Sequence, residues 1–380
     1  MKRMKARRRA RVCALLLLLP VVMSLSACGT EGKDPGKIDY NQYIYGHGRT
    51  AYTENSYIFM SRGGKVSALE PTLSAPLTPL CLRPDCTHTD NTCSAYLNTD
   101  SVFASGDALY YLAQDENREY GVYRADLNGG GRKCIRKLPI LDQGGIGFAH
   151  RIYGDHLALI VTRWSKDTKS DMIYLADLSD PNSEIELILG GEDNTQTSYG
   201  TVELRDGWLF VEAYERSAMT RSLIGYNLEE GRARTIVEDW PTLGWLTLRG
   251  DILYWFSPGD GFYSISLEGG EITKYRSCDP VVEMGFGVYD DQYVYFTNMI
   301  PMIDHEHTVP EDKLGVYIYN YEGEQIQYIP AAEVPGNPLV LLPTADYVFF
   351  YDAKGAIMPK WYLKKAEIAR GEAVFHTLPE

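Results

Sequence analysis

The chain has 380 residues, with 37 basic and 51 acidic side chains and a net charge of −14. That acidity argues against nucleic acid as a partner, because both carry the same sign of charge. Twenty-eight tyrosines, several in alternating apolar runs, exclude a disordered tail.

The first eleven residues include Lys2, Arg3, Lys5, Arg7, Arg8, Arg9 and Arg11, and an apolar run follows from Val12 to Met23. A basic start before an apolar run too short for a comfortable permanent span reads as a signal peptide, residues 1–27. The run ends in Leu25-Ser26-Ala27-Cys28. This resembles the lipobox of bacterial lipoproteins: an aliphatic residue, two small residues and a cysteine. The resemblance implies diacylglyceryl modification of Cys28, with the bilayer as a partner through that lipid and an extracytoplasmic address. Two or more acyl chains make such an attachment lasting. Without residues 1–27 the net charge becomes −21. Residues 28–40, polar and glycine-rich, read as a tether.

From residue 41 to 380 the chain repeats itself. Strand-like runs follow turn residues at Gly106-Asp107, Gly154-Asp155, Asp206-Gly207 and Gly250-Asp251. Looser copies begin at Asn55, Asp290 and Asp346. Each is read as the first strand of a unit. A partner run follows each, as in Gly121–Leu127, Met172–Leu178 and Val316–Tyr321. Several then turn through glycine, as tight hairpins demand. Weaker strands come after those turns, for example Ala233 to Val237. The spacing averages 48 residues between Ala108 and Ile252, so seven units fill residues 49–380.

A small sheet apolar on both faces cannot bury them alone, and radial stacking into a ring does so. The expected fold is all-β: a β-propeller of seven blades, each a four-stranded antiparallel sheet, with six or eight blades as alternatives. The tyrosine-rich run Tyr40 to Tyr45 is a candidate outer strand that completes the last blade and clasps the ring. The blade pattern resembles TolB-like propellers of exported bacterial proteins, among them uncharacterised lipoproteins. That resemblance implies a fold and no single activity.

Between the first two units stands Cys81-x4-Cys86-x-His88-x4-Cys93. With Pro84 and Tyr96 it is similar to a segment of clostridial exported propeller lipoproteins of unknown function. Three readings stand. An oxidising compartment favours a disulfide-tied loop, with Cys86–Cys93 or Cys81–Cys93 as the better pairings and a link to Cys134 open. Three thiolates and an imidazole also suit tetrahedral zinc, although the sequence requires no cofactor. A reactive thiol is the third reading. Counting Cys134 and Cys278, five cysteines remain after Cys28, so at least one has no partner within the chain.

Asp304-His305-Glu306-His307 offers Asp304, His305 and His307 as a weak metal set, read mainly as a solvated loop. Trp164, flanked by Arg163, Lys166 and Asp167, is the exposed aromatic best placed to stack on a ligand, whereas Trp255 reads as core. The acidic run Asp115–Glu119 reads as a surface hairpin. No nucleophile elbow, zinc-protease or phosphate-loop motif occurs. With no catalytic set visible, the leading expectation is a membrane-anchored binding or scaffolding module for a glycan, peptide or envelope protein, more a non-enzyme than an enzyme. A surface hydrolase or lyase acting on carbohydrate or peptide is the alternative.

Overall fold

Glycine turns and alternating apolar runs set the hairpins, and the hairpins group into seven sheets of four strands each. The computed structural model describes residues 49–379, apart from 54, 62, 82, 91, 98, 100, 107, 142–145, 165–168, 192, 240–244, 300–308 and 356. In each sheet the strands neighbour one another in chain order and pair antiparallel, so each blade is one uninterrupted stretch of chain. The seven blades cover 50–79, 103–137, 146–190, 197–237, 245–277, 286–330 and 338–377. The fold is a seven-bladed β-propeller.

Each unit begins one strand earlier than its turn motif suggests. The run after Gly106-Asp107 is the second strand of its blade, and Phe103–Ser105 is the first. The other first strands are Thr50–Thr53, Ile146–Tyr153, Thr197–Arg205, Trp245–Arg249, Phe286–Tyr289 and Pro338–Pro343. These lie innermost. First strands contact one another at the junctions of blades 1 and 2, 2 and 3, 3 and 4, 5 and 6, and 6 and 7, and that of blade 7 reaches that of blade 1 to close the ring. Blades 4 and 5 join through Phe210, Leu223 and Val237 packed with Leu246, Trp255 and Tyr263. The turns follow hairpin chemistry. Gly106, Gly154 and Gly250 have φ of +57°, +56° and +58°, and a Cβ there would meet nothing within 4 Å. Backbone sign selects glycine at these turns, while space does not.

The core lies between blades. At the seam of blades 7 and 1, Phe349 packs on Tyr57 and Phe59 with ring centroids 4.9 Å and 5.5 Å apart. Leu69, Leu73, Leu342 and Leu378 complete that cluster. The expected clasp from Tyr40 to Tyr45 lies outside the described residues. Among the described residues the outermost strand of blade 7 is His376–Thr377, which pairs with Trp361 and Tyr362. Among the described residues no strand passes from one end of the chain into the blade of the other, and the contacts across the seam are those of this side-chain cluster and the two first strands.

Between blades 2 and 3, Ser101 Oγ lies 2.8 Å from His150 Nε2. Burial pushes the His150 imidazole down to about 3, with the charge of Arg151 adding to the effect. The folded protein therefore resists a proton that the unfolded chain takes up near pH 6.5. Stability is expected to fall as pH drops from about 6.5 towards 3, by roughly 1.4 kcal/mol per unit at this site. Urea unfolding of His150→Gln against the parent between pH 7 and 4 checks this. A parent profile as flat as that of the variant would refute it.

Candidate metal centre

Blade 1 has a short outer strand, Thr78–Pro79, which pairs only with Ser67 and Ala68. The chain then leaves the sheet and returns at Ala95 to Leu97. There Val66 N donates to Ala95 O (2.7 Å), Leu97 N donates to Gly64 O (3.1 Å), and Lys65 bridges Tyr96. The Cys/His segment is thus an excursion inserted into the outer edge of blade 1.

Local chemistry folds the excursion back on itself. Pro84 occupies the second position of a turn in which Cys86 N donates to Arg83 O (3.3 Å). Asp90 closes a second turn, its Oδ1 accepting from Thr92 N (2.9 Å) and Thr92 Oγ1 (2.6 Å). His88 between them has φ of +56°, a left-handed conformation that reverses the chain. Its Nδ1 thereby comes to 3.2 Å from Cys93 Sγ. Arg83 braces both arms, donating from Nη2 to Cys86 Sγ (3.3 Å) and Thr92 O (2.8 Å).

One donor atom from each of Cys81, Cys86, His88 and Cys93 lies within 4.8 Å of the others. A tetrahedral zinc shell separates its donors by about 3.5–3.8 Å. The four residues can therefore hold a metal ion such as zinc. Cys81 and Cys93 are buried; Cys86 and His88 are partly exposed. The backbone amide of Arg83 and then its guanidinium, with Ser94 and Cys93, hold the Cys81 thiol down to about 5. Burial pushes Cys93 the other way, and Ala95 N donates to its sulfur (3.3 Å). A bound cation favours the thiolate at every cysteine, so metal binding releases protons.

The disulfide expectation does not hold. Cys81, Cys86, Cys93, Cys134 and Cys278 are all free thiols. The closest sulfurs stand 3.3 Å apart, far beyond the ~2.05 Å of a disulfide. Cys134 lies on the outer strand of blade 2, and burial pushes the Cys278 thiol up to about 12, which leaves it unreactive.

Cys28 and its leader lie outside the described residues, as do Asp304, His305 and His307. No helix among the described residues is long and apolar enough to cross a membrane. Trp164 ends the second strand of blade 3 with 54% of its surface exposed, while Trp255 is buried and stacks on Tyr263 at 5.1 Å. The acidic run forms a hairpin turn in which Asp115 Oδ1 accepts from the amides of Asn117 and Glu119. Sequence reasoning missed Arg132. Its Nη2 donates to Cys93 O (2.6 Å) and Ser94 O (2.9 Å) from blade 2. The available signal was the turn Asn128-Gly129-Gly130-Gly131 just before it.

No protein-family profile and no curated protein matches this chain. Among solved structures, a prolyl endopeptidase is 14% identical, aligning over 90% of this chain and 50% of its own with a TM-score of 0.52. The Pyrococcus horikoshii acylaminoacyl peptidase is 12% identical over 90% of this chain and 54% of its own, also at 0.52. The chain thus spans about half the length of each. TolB from Acinetobacter baumannii is 13% identical over 74% and 64% of the two chains, with a TM-score of 0.36. Likeness to the two peptidases at these identities shows the fold alone, and none of these matches supports a lipid anchor. The leaning towards a non-enzyme is corrected. The fold occurs in two peptidases, and a cluster able to bind metal stands between blades 1 and 2.

Proposed function

We propose that this chain is an extracytoplasmic propeller that carries one zinc-class ion at Cys81, Cys86, His88 and Cys93. We further propose that it serves the enzymatic processing of peptide or carbohydrate at the cell surface. The convergence of four soft donor atoms within 4.8 Å carries the metal part. Three thiolates and an imidazole fill a tetrahedral shell, the arrangement of zinc sites that hold structure. Such an ion fastens the excursion of blade 1 and leaves substrate to other groups of the ring. The basic and apolar leader supports the address. The fold shared with two peptidases supports the processing role.

The full chain, purified anaerobically, is expected to contain about one zinc per molecule by elemental mass spectrometry. His88→Ala should retain zinc at least ~100-fold more weakly, because three donors replace four. Absence of metal from the reduced, zinc-supplemented protein would sink the metal assignment. A panel of peptides and polysaccharides with product detection tests the processing role. Binding without turnover would point to a receptor instead, and the absence of both binding and turnover would overturn the processing role.

A further inference from the structure

The excursion is gripped from the neighbouring blade as well as closed by its own donors. Arg132 Nη2 holds the carbonyls of Cys93 and Ser94, while its Nε donates to Gly129 O (3.1 Å). Gly129 itself, at φ +75°, lies so close to the excursion that a Cβ would stand 2.0 Å from Ser94 O. Cys81 and Cys93 also belong to the apolar cluster formed with Ala104, Leu109, Tyr111 and Ala125 of blade 2.

Resting on the metal reading above, we infer that occupancy of the Cys/His site sets the packing between blades 1 and 2, and that Arg132 transmits it to the turn 127–131. Ala95 to Leu97 rejoin Gly64 and Val66 two residues after Cys93, so closing the loop from Cys81 to Cys93 bears directly on that register. A bound ion would tie Cys81 to Cys93 more firmly than the two turns and Arg83 do alone. It would thereby steady the carbonyls of Cys93 and Ser94 that Arg132 grips. The site then acts as a coupling device. A soft metal ion bound at the edge of blade 1 orders a hairpin of blade 2 that contributes no ligand to it.

Hydrogen exchange of the full chain, zinc-loaded and after chelation, tests the coupling. Chelation is expected to raise exchange at least tenfold at Val66, Leu97 and residues 126–131, besides the loop itself. Arg132→Met should keep its zinc while losing the zinc-dependent protection at 126–131 alone. A response confined to residues 82–92, or one at 126–131 that survives in Arg132→Met, would overturn the coupling while leaving the metal reading intact. Failure of the reduced chain to bind zinc would overturn both.

Discussion

Lys365→Met is expected to destabilise the protein by about 3–5 kcal/mol, because it strands a buried carboxylate. Lys365 opens the short helix Lys365–Ile368 of blade 7, and its Nζ lies 2.6 Å from Asp290 Oδ2 in the turn of blade 6. Both side chains are buried, at 6% and 0% exposure. Asp290 also accepts from the Tyr295 hydroxyl (2.7 Å) and the amides of Gln292 (2.8 Å) and Tyr293 (2.9 Å). Those neutral donors cannot replace an ammonium ion, so the carboxylate keeps its desolvation penalty when the lysine goes. Adding Asp290→Asn should recover part of the loss, since the second change removes the orphaned charge. Urea unfolding midpoints measure both effects. A single variant within about 0.5 kcal/mol of the parent, or a double variant no better than the single, would contradict this account.

Phe349→Ala at the seam of blades 7 and 1 should cost a similar amount, about 3–5 kcal/mol. The ring is fully buried and touches Tyr57 and Phe59 across the seam and Tyr347 and Tyr362 within its own blade. Because the ring packs against both blades, its loss falls on the seam that closes the propeller. Phe349→Leu, which leaves a smaller void, should cost clearly less. The two are told apart by thermal unfolding and by the rate at which trypsin cuts near Lys364 and Lys365. Equal costs for both variants would mean that the seam does not depend on the aromatic ring.

Much of the fold was readable because its strongest signals are local. Positive-φ glycines mark the turns, and runs such as Leu109–Leu112 and Val316–Tyr319 carry the strands they bound. The inner strands carried less. Phe103–Ser105 has only three residues, too few to show an alternating pattern, so the motif at Gly106 reads as the beginning of the unit. The tyrosine-rich run near one end suits an outer strand but lies outside the described residues, among which His376–Thr377 is the outermost strand of blade 7. At the Cys/His segment the residues were legible and their state was not. Compartment logic favoured oxidation, whereas the two turns and the left-handed His88 bring imidazole and thiols together without bonding the sulfurs. Arg132 escaped notice because it lies 39 residues from the carbonyl of Cys93, a distance that only the stacking of blades removes.

That each blade is one unbroken stretch of chain has a consequence for how the molecule is made. Each sheet can finish as its last strand emerges, with no need to keep an early segment waiting for a distant partner. Six of the seven junctions then form between neighbours in sequence, and only the last, centred on Phe349, joins the two ends. The same order permits rearrangement. Linking residue 379 to residue 49 and opening the chain between any two blades cuts none of the described sheets, so circular permutants of 49–379 opened at blade boundaries should assemble the same ring.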